Sequence, residues 1–192
     1  HGGAWGSGLT WMYRLVAQPF LEQGMAVAVV GYRTFPDGDM KDQVHDLEMA
    51  AEKLTQEYPD LCTNKSEFGV CVMGHSSGAH IAMSMLTKRL QLHLPKRQKP
   101  LDKDVMRIDS FVGLSAPYEI SSHYEYETGR GLAEVSPMKA ACGYDVERLS
   151  NYSPVLKLFQ HMILQPRHVC EDVNDACPRI ALIHGDQDET VP

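Results

Sequence analysis

Residues 67–80 read EFGVCVM-GHSSGAH, an apolar run that passes directly into two glycines, two serines and two histidines. The run 69–73 (GVCVM) has the composition of a strand buried on both faces. Residues 77–92 follow with Ile81, Ala82, Met85 and Leu86 at helical spacing, so they are expected to form an amphipathic helix. Ser76 stands where strand turns into helix, with Gly74 and Gly78 two residues to either side. A serine there is pushed into a sharp turn with its hydroxyl outward, and the glycines avoid clashes within that turn. The N–H groups that open the helix point at any negative charge forming beside the hydroxyl. A plain Gly/Ser turn is the simpler explanation, and the rest of the chain decides between the two.

Outward from this turn, strand-like and helix-like segments alternate. Residues 10–23 carry apolar residues at helical spacing despite Pro19, with Gly24 as a stop, and 25–30 (MAVAVV) read as another buried strand. Residues 34–40 (TFPDGDM) are a turn, and 41–57 a helix with Val44, Leu47, Ala51 and Leu54 on one face. A charged loop at 95–105 leads to a strand at 108–114 (IDSFVGL). Residues 117–160 are irregular, with short helical pieces, and 179–183 (RIALI) form a last strand. Such alternation predicts an α/β domain, a mostly parallel sheet with helices on both faces.

The 192 residues suffice for one domain with a core. With 18 basic against 25 acidic residues the net charge is −7, which argues against nucleic acid as main partner. The basic cluster Lys96-Arg97-Gln98-Lys99 reads as a solvated loop. No run of about 18 apolar residues predicts a membrane span. Of five cysteines, Cys71 reads as a small core residue, and Cys170 and Cys177 flank EDVNDA closely enough to close a disulfide ring. No C-x-x-C pair or His-rich tract suggests a metal, and no cofactor is implied. The sequence starts at His1 rather than Met and is read as a fragment or processed product.

In an open α/β sheet, function gathers beyond the carboxyl ends of the strands. Besides the serine turn, two more loops carry unusual chemistry. His1-Gly2-Gly3-Ala4-Trp5 offers bare backbone amides to a developing oxyanion, the alternative being a flexible glycine turn. His184-Gly185-Asp186-Gln187-Asp188, after RIALI, offers a carboxylate that could orient a histidine, the alternative being a solvated turn.

In order, glycine donor loop, serine, acid, these loops resemble the α/β-hydrolases. HGGAW resembles the oxyanion loop of the hormone-sensitive-lipase-like esterase branch, GHSSGAH its nucleophile elbow, and HGDQDETVP its acid loop. VVGYRTFPDGDMKDQVHD, FVGLSAPYEI, HYEYETGRGL and LSNYSPV look most like prenylcysteine carboxyl methylesterases. The resemblance implies an α/β-hydrolase domain truncated at both ends, with 117–160 as a cap-like insertion. It implies Ser76 as nucleophile, Asp188 as acid, Asp186 as a turn residue, and the amides of Gly2, Gly3, Ala4 and Ser77 as the oxyanion hole. Trp5, His75, Tyr118 and His123 are expected to touch substrate, and Tyr124, Leu132, Val135 and Met138 to supply an apolar pocket. It further implies an apolar or prenylated-cysteine ester substrate, and an endomembrane location with any anchor outside this stretch.

None of the nine histidines follows Asp188, so the base is expected beyond residue 192 and the fragment alone to be inactive. His80 reads as a packing or capping residue. Family order also puts a strand between 25–30 and 69–73 that this stretch lacks, so residues 1–192 alone are expected to be unstable. Two rivals remain: an arylformamidase-like hydrolase, which shares HGG-x-W, and a non-catalytic ligand-binding relative.

Overall fold

The computed structural model describes residues 1–93, 105–164 and 177–192. The Lys96–Lys99 cluster, most of the 95–105 loop, and Cys170 with its proposed bridge to Cys177 lie outside the described residues. Three strands, β1 (Val70–His75), β2 (Ile108–Leu114) and β3 (Arg179–Ile183), form a parallel sheet in the order β1-β2-β3. Val72, Phe111 and Ile180 stand in one row across the strands, and Gly74, Gly113 and Leu182 in the next row on that face. Parallel neighbours need long crossovers, and helices supply them. Between β1 and β2 runs α4 (Ser77–His93); α5 (Ile120–Gly129), α6 (Pro137–Ala141) and α7 (Pro154–Leu164) lie between β2 and β3. Before β1 come α1 (Arg14–Glu22), α2 (Met40–Glu57) and the short α3 (Pro59–Cys62).

The strands at 108–114 and 179–183 stand as expected. The helix α2 starts one residue early because Asp39 caps it. Its carboxylate accepts from the Lys41 and Asp42 amides, while Asp42 accepts from the Asp39 amide. Such a reciprocal cap stabilises a helix start by about 1 kcal/mol.

Cys71, read as a small core residue, is exposed on β1, and three expectations about elements also need correction. Residues 25–30 form no strand: Met25 and Val27 are exposed and, among the described residues, no neighbouring backbone offers the segment a ladder. Apolar composition reports a tendency to be buried, but a strand exists only beside another strand. Second, α1 forms but shows its apolar side outward, Leu15 being 78% exposed. Third, α4 is not amphipathic. Residues 77–83 are buried without exception, because α4 is covered on two sides at once.

On one side Ala79, Ala82, Met83, Met85 and Leu86 pack with Phe111 of β2. On the other, Ile81 joins Trp5, Met40, Ile120, Met138, Ala141, Cys142 and Leu149. The helix after the serine is therefore wedged between the sheet and the 117–160 segment, and Ser76 at its head cannot move independently of either. Phe111 is fully buried at the sheet–helix contact. Phe111→Ala is expected to cost about 3–5 kcal/mol, read as a lower denaturant midpoint with little change in slope.

Candidate active site

Ser76 lies between the end of β1 and the start of α4 with φ of 51°, in the left-handed region. That conformation costs a non-glycine residue about 1–2 kcal/mol. It is held from both directions: the Ser76 amide donates to Leu114 O of β2 at 2.8 Å, and its carbonyl accepts from the Ala79 and His80 amides. The flanking glycines are there for space. A Cβ on Gly74 would stand 2.4 Å from Ala79 Cα, and one on Gly78 would stand 2.2 Å from His1 O. The first lets α4 fold back over β1; the second lets the amino-terminal loop come down onto the turn.

That loop meets the serine directly. A Cβ on Gly2 would come within 3.1 Å of Ser76 Cβ and 2.8 Å of His75 Nδ1. Gly3, Ala4 and Trp5 follow with φ of 142°, 49° and 62°, three successive left-handed residues. The Gly2 amide donates to Tyr13 Oη at 2.7 Å, and Tyr13 Oη pairs with His75 Nδ1 at 2.9 Å. Gly2 is thus occupied and lies outside the set of open donors expected for an oxyanion hole. Gly3 and Ala4 keep amides without an internal acceptor among the described residues. Ser77 heads α4, where an amide has no intrahelical partner. Beneath, the His1 ring stacks on Tyr32 at 4.2 Å, and the Tyr32 hydroxyl donates to His1 O at 2.5 Å. Burial pushes the Tyr32 phenol up to about 12, so it serves as a neutral donor.

The acid loop reaches the same rim. Ser115, just past β2, has φ of 45° and its amide donates to Ile183 O at the end of β3. Asp188 Oδ1 accepts from the Val191 amide at 3.0 Å and the Thr190 amide at 2.9 Å. These two bonds, then Ser115 and His184, hold the Asp188 carboxyl below the usual carboxylate range. Asp186 is exposed and has no such cradle. The loop is also tied to α5: Tyr126 Oη donates to Glu189 O at 2.7 Å, Arg130 donates to the same carbonyl, and its guanidinium lies over the Tyr126 ring. Ser76, Ser115 and Asp188 therefore follow the ends of three neighbouring strands. His184 Nε2 lies 3.5 Å from Asp188 Oδ2 and also against Val191 O.

The residues expected to touch substrate divide. His75 is exposed beside Tyr13. Trp5 is instead 2% exposed, a core residue. Tyr118 lies over Gly113 with its hydroxyl enclosed and its phenol pushed up to about 12 by burial. His123 is buried and faces Glu127 Oε1 at 3.5 Å. Of the expected pocket residues, Met138 is in the core, Tyr124 packs against it, and Leu132 and Val135 are exposed. Large amphipathic side chains look alike in sequence whether they line a pocket or fill a core. Among the described residues no group of His, Cys, Asp and Glu is arranged to hold a metal.

Tyr13 lies in no motif; Tyr32 and Ser115 lie within the stretches VVGYRTFPDGDMKDQVHD and FVGLSAPYEI, but only the fold shows that they reach the rim. His80, expected as a packing residue, does more. Trp5 Nε1 donates to its Nδ1 at 3.1 Å, so the ring proton sits on Nε2 and goes to Tyr152 O at 2.7 Å. Desolvation first, then nearby Lys157 and His123, lowers its pKa to about 4 against the Tyr152 bond. A folded-state value below the unfolded value means the stabilisation is complete above about pH 6.5 and lost as pH falls toward about 4. Protonation would also remove the acceptor for Trp5. Melting temperature is therefore expected to fall between pH 6.5 and 4, by the equivalent of about 3 kcal/mol. His80→Gln should flatten that window.

Comparison with known proteins bears on the family and the fold. The chain is 28% identical to a probable isoprenylcysteine alpha-carbonyl methylesterase of Oryza sativa, over all of this chain and 43% of that protein. Identity to the isoprenylcysteine alpha-carbonyl methylesterase of Arabidopsis thaliana is also 28%, over all of this chain and 42% of that protein. The chain thus spans less than half the length of these relatives. A kynurenine formamidase of Danio rerio is 31% identical over 87 residues, 45% of this chain and 28% of that protein. Esterase B of Lactobacillus rhamnosis superposes with a TM-score of 0.66 at 19% identity, over 96% of this chain and 63% of its own. An esterase of the bacterial hormone-sensitive lipase family does so at 0.57 and 16%, over 96% of this chain and 64% of its own. These likenesses establish the α/β-hydrolase fold. The BD-FAE family model matches residues 1–192, and the chain belongs to that family.

Proposed function

We propose that this chain carries the nucleophile, acid and oxyanion donors of a serine carboxylester hydrolase that works through an acyl-enzyme. The observation that carries the reading is Ser76 in a left-handed turn with the glycine loop packed against it. Ser76 Oγ attacks the ester carbonyl, and the amides of Gly3, Ala4 and Ser77 receive the oxyanion. A histidine oriented by Asp188 takes the serine proton and returns it to the leaving alcohol. Water then enters by the same route, and its attack releases the acid and restores the serine. The depressed Asp188 carboxyl stays ionised at neutral pH, as an orienting acid must. The reading needs that histidine opposite Ser76 and within reach of Asp188.

Within esters, we favour a prenylcysteine methyl ester or a similarly apolar one, on the names of the plant relatives. In that reading the 117–160 segment acts as a cap over the acyl side, and the protein works at an endomembrane surface. No helix among the described residues is long and apolar enough to cross a membrane. The kynurenine formamidase likeness favours a second reading, hydrolysis of an aryl formamide by the same Ser76.

The test is steady-state kinetics of the full-length gene product on a prenylcysteine methyl ester, a short aryl ester and N-formylkynurenine. Ester turnover is expected to exceed formamide turnover, and Ser76→Ala to lower kcat by about 10⁴–10⁶ with the protein still folded. Undiminished turnover in that variant rejects the nucleophile. No turnover of any of the three in the wild type supports a non-catalytic ligand-binding protein instead.

A further inference from the structure

The left-handed run Gly3-Ala4-Trp5 needs an external hold, because isolated residues do not stay in that conformation unaided. The Trp5 indole is held by His80. The Trp5 backbone is held separately. Its carbonyl accepts from the Phe35 amide at 2.8 Å and from Gln43 Nε2 at 2.8 Å. Gln43 lies on the first turn of α2, fully buried, and its Nε2 also reaches Gly38 O at 3.4 Å. The same amide group therefore ties the Trp5 carbonyl to the loop that leads into α2. Gln43 Oε1 is buried with no hydrogen-bond partner among the described residues. A buried orphan acceptor is a stability cost with no packing reason behind it, since Leu or Met would fill the same space without it.

We propose that Gln43 is a positioning residue: by fixing the Trp5 carbonyl it aims the Gly3 and Ala4 amides at the oxyanion that forms on an ester attacked by Ser76. The inference rests on the reading of Ser76 as nucleophile. Gln43 touches neither substrate nor serine; it acts through one carbonyl. The side chain must donate, reach about one residue's width, and stay neutral while buried. Glutamine meets all three conditions. Leucine and methionine give no donor, and an ionised glutamate would repel the carbonyl it must hold.

The test compares wild type, Gln43→Met, Gln43→Leu and Ser76→Ala in the full-length gene product, with kcat normalised to the folded fraction from near-ultraviolet circular dichroism. Misaimed donors act on the transition state alone. Both Gln43 variants are therefore expected to lose about 10–100-fold in kcat with KM and the pH profile unchanged. A trifluoromethyl ketone, which forms a tetrahedral oxyanion on the serine, should lose affinity by the same factor. Affinity for the product acid should not change. Wild-type kcat and ketone affinity in either folded variant overturns the assignment, as does a loss confined to KM. If one variant fails to fold, the other decides; if both fail, Gln43 is a stability residue and the assignment is also overturned. Wild-type turnover that survives Ser76→Ala removes the nucleophile reading. Turnover lost in Ser76→Ala yet untouched in the Gln43 variants removes only the positioning role of Gln43.

Discussion

The site depends on how closely two backbones approach. Gly78 passes His1 with no room for a side-chain carbon, and Gly2 lies close against His75 and Ser76. This contact places the amides of the amino-terminal loop and the serine hydroxyl in one small volume. Neither segment could hold its geometry alone, since Ser76, Ala4 and Trp5 are all left-handed residues with side chains. Hydrogen bonds from β2, α2 and α4 absorb that cost. Strain of this kind persists only where surrounding structure over-determines it.

The core and the site are consequently one object. α4 carries the serine at its head, buries Ile81 against Trp5, and presents His80 to the same indole. A neutral, fully buried histidine in this place couples the ionisation of the interior to the shape of the amino-terminal loop through Trp5. On the far side, Tyr126 of α5 and Arg130 just after it hold the Glu189 carbonyl, so the segment between β2 and β3 touches the loop that carries Asp188. Glu119 strengthens that segment: it caps α5 and accepts from Ser153 before α7, and its carboxyl is held at about 2 despite partial burial.

Much of this was legible in the residues. The serine turn, the acid loop and the strands at 108–114 and 179–183 are local signals, carried by a few adjacent residues whose spacing already encodes the backbone. What could not be read depends on partners distant in sequence. MAVAVV looks like a strand because its composition is right, yet pairing decides, and composition holds no information about a neighbour. Trp5 and Met138 look like pocket walls because apolar side chains serve a core and a pocket equally well. Gly2 looks like an oxyanion donor until Tyr13, eleven residues on, takes its amide. Gln43 is one polar letter on a helix, and only the packed structure turns it toward Trp5.

The measurement closest to the central claim is covalent labelling by a carboxylester-like phosphonate, with the modified residue found by peptide mass spectrometry. The account predicts one phosphonyl group per folded chain, on Ser76 Oγ, and sharply slower incorporation in Gly78→Ala, where the amino-terminal loop can no longer approach. Phosphonylation of a different residue with Ser76 untouched, or equal rates in the Gly78 variant, would contradict it.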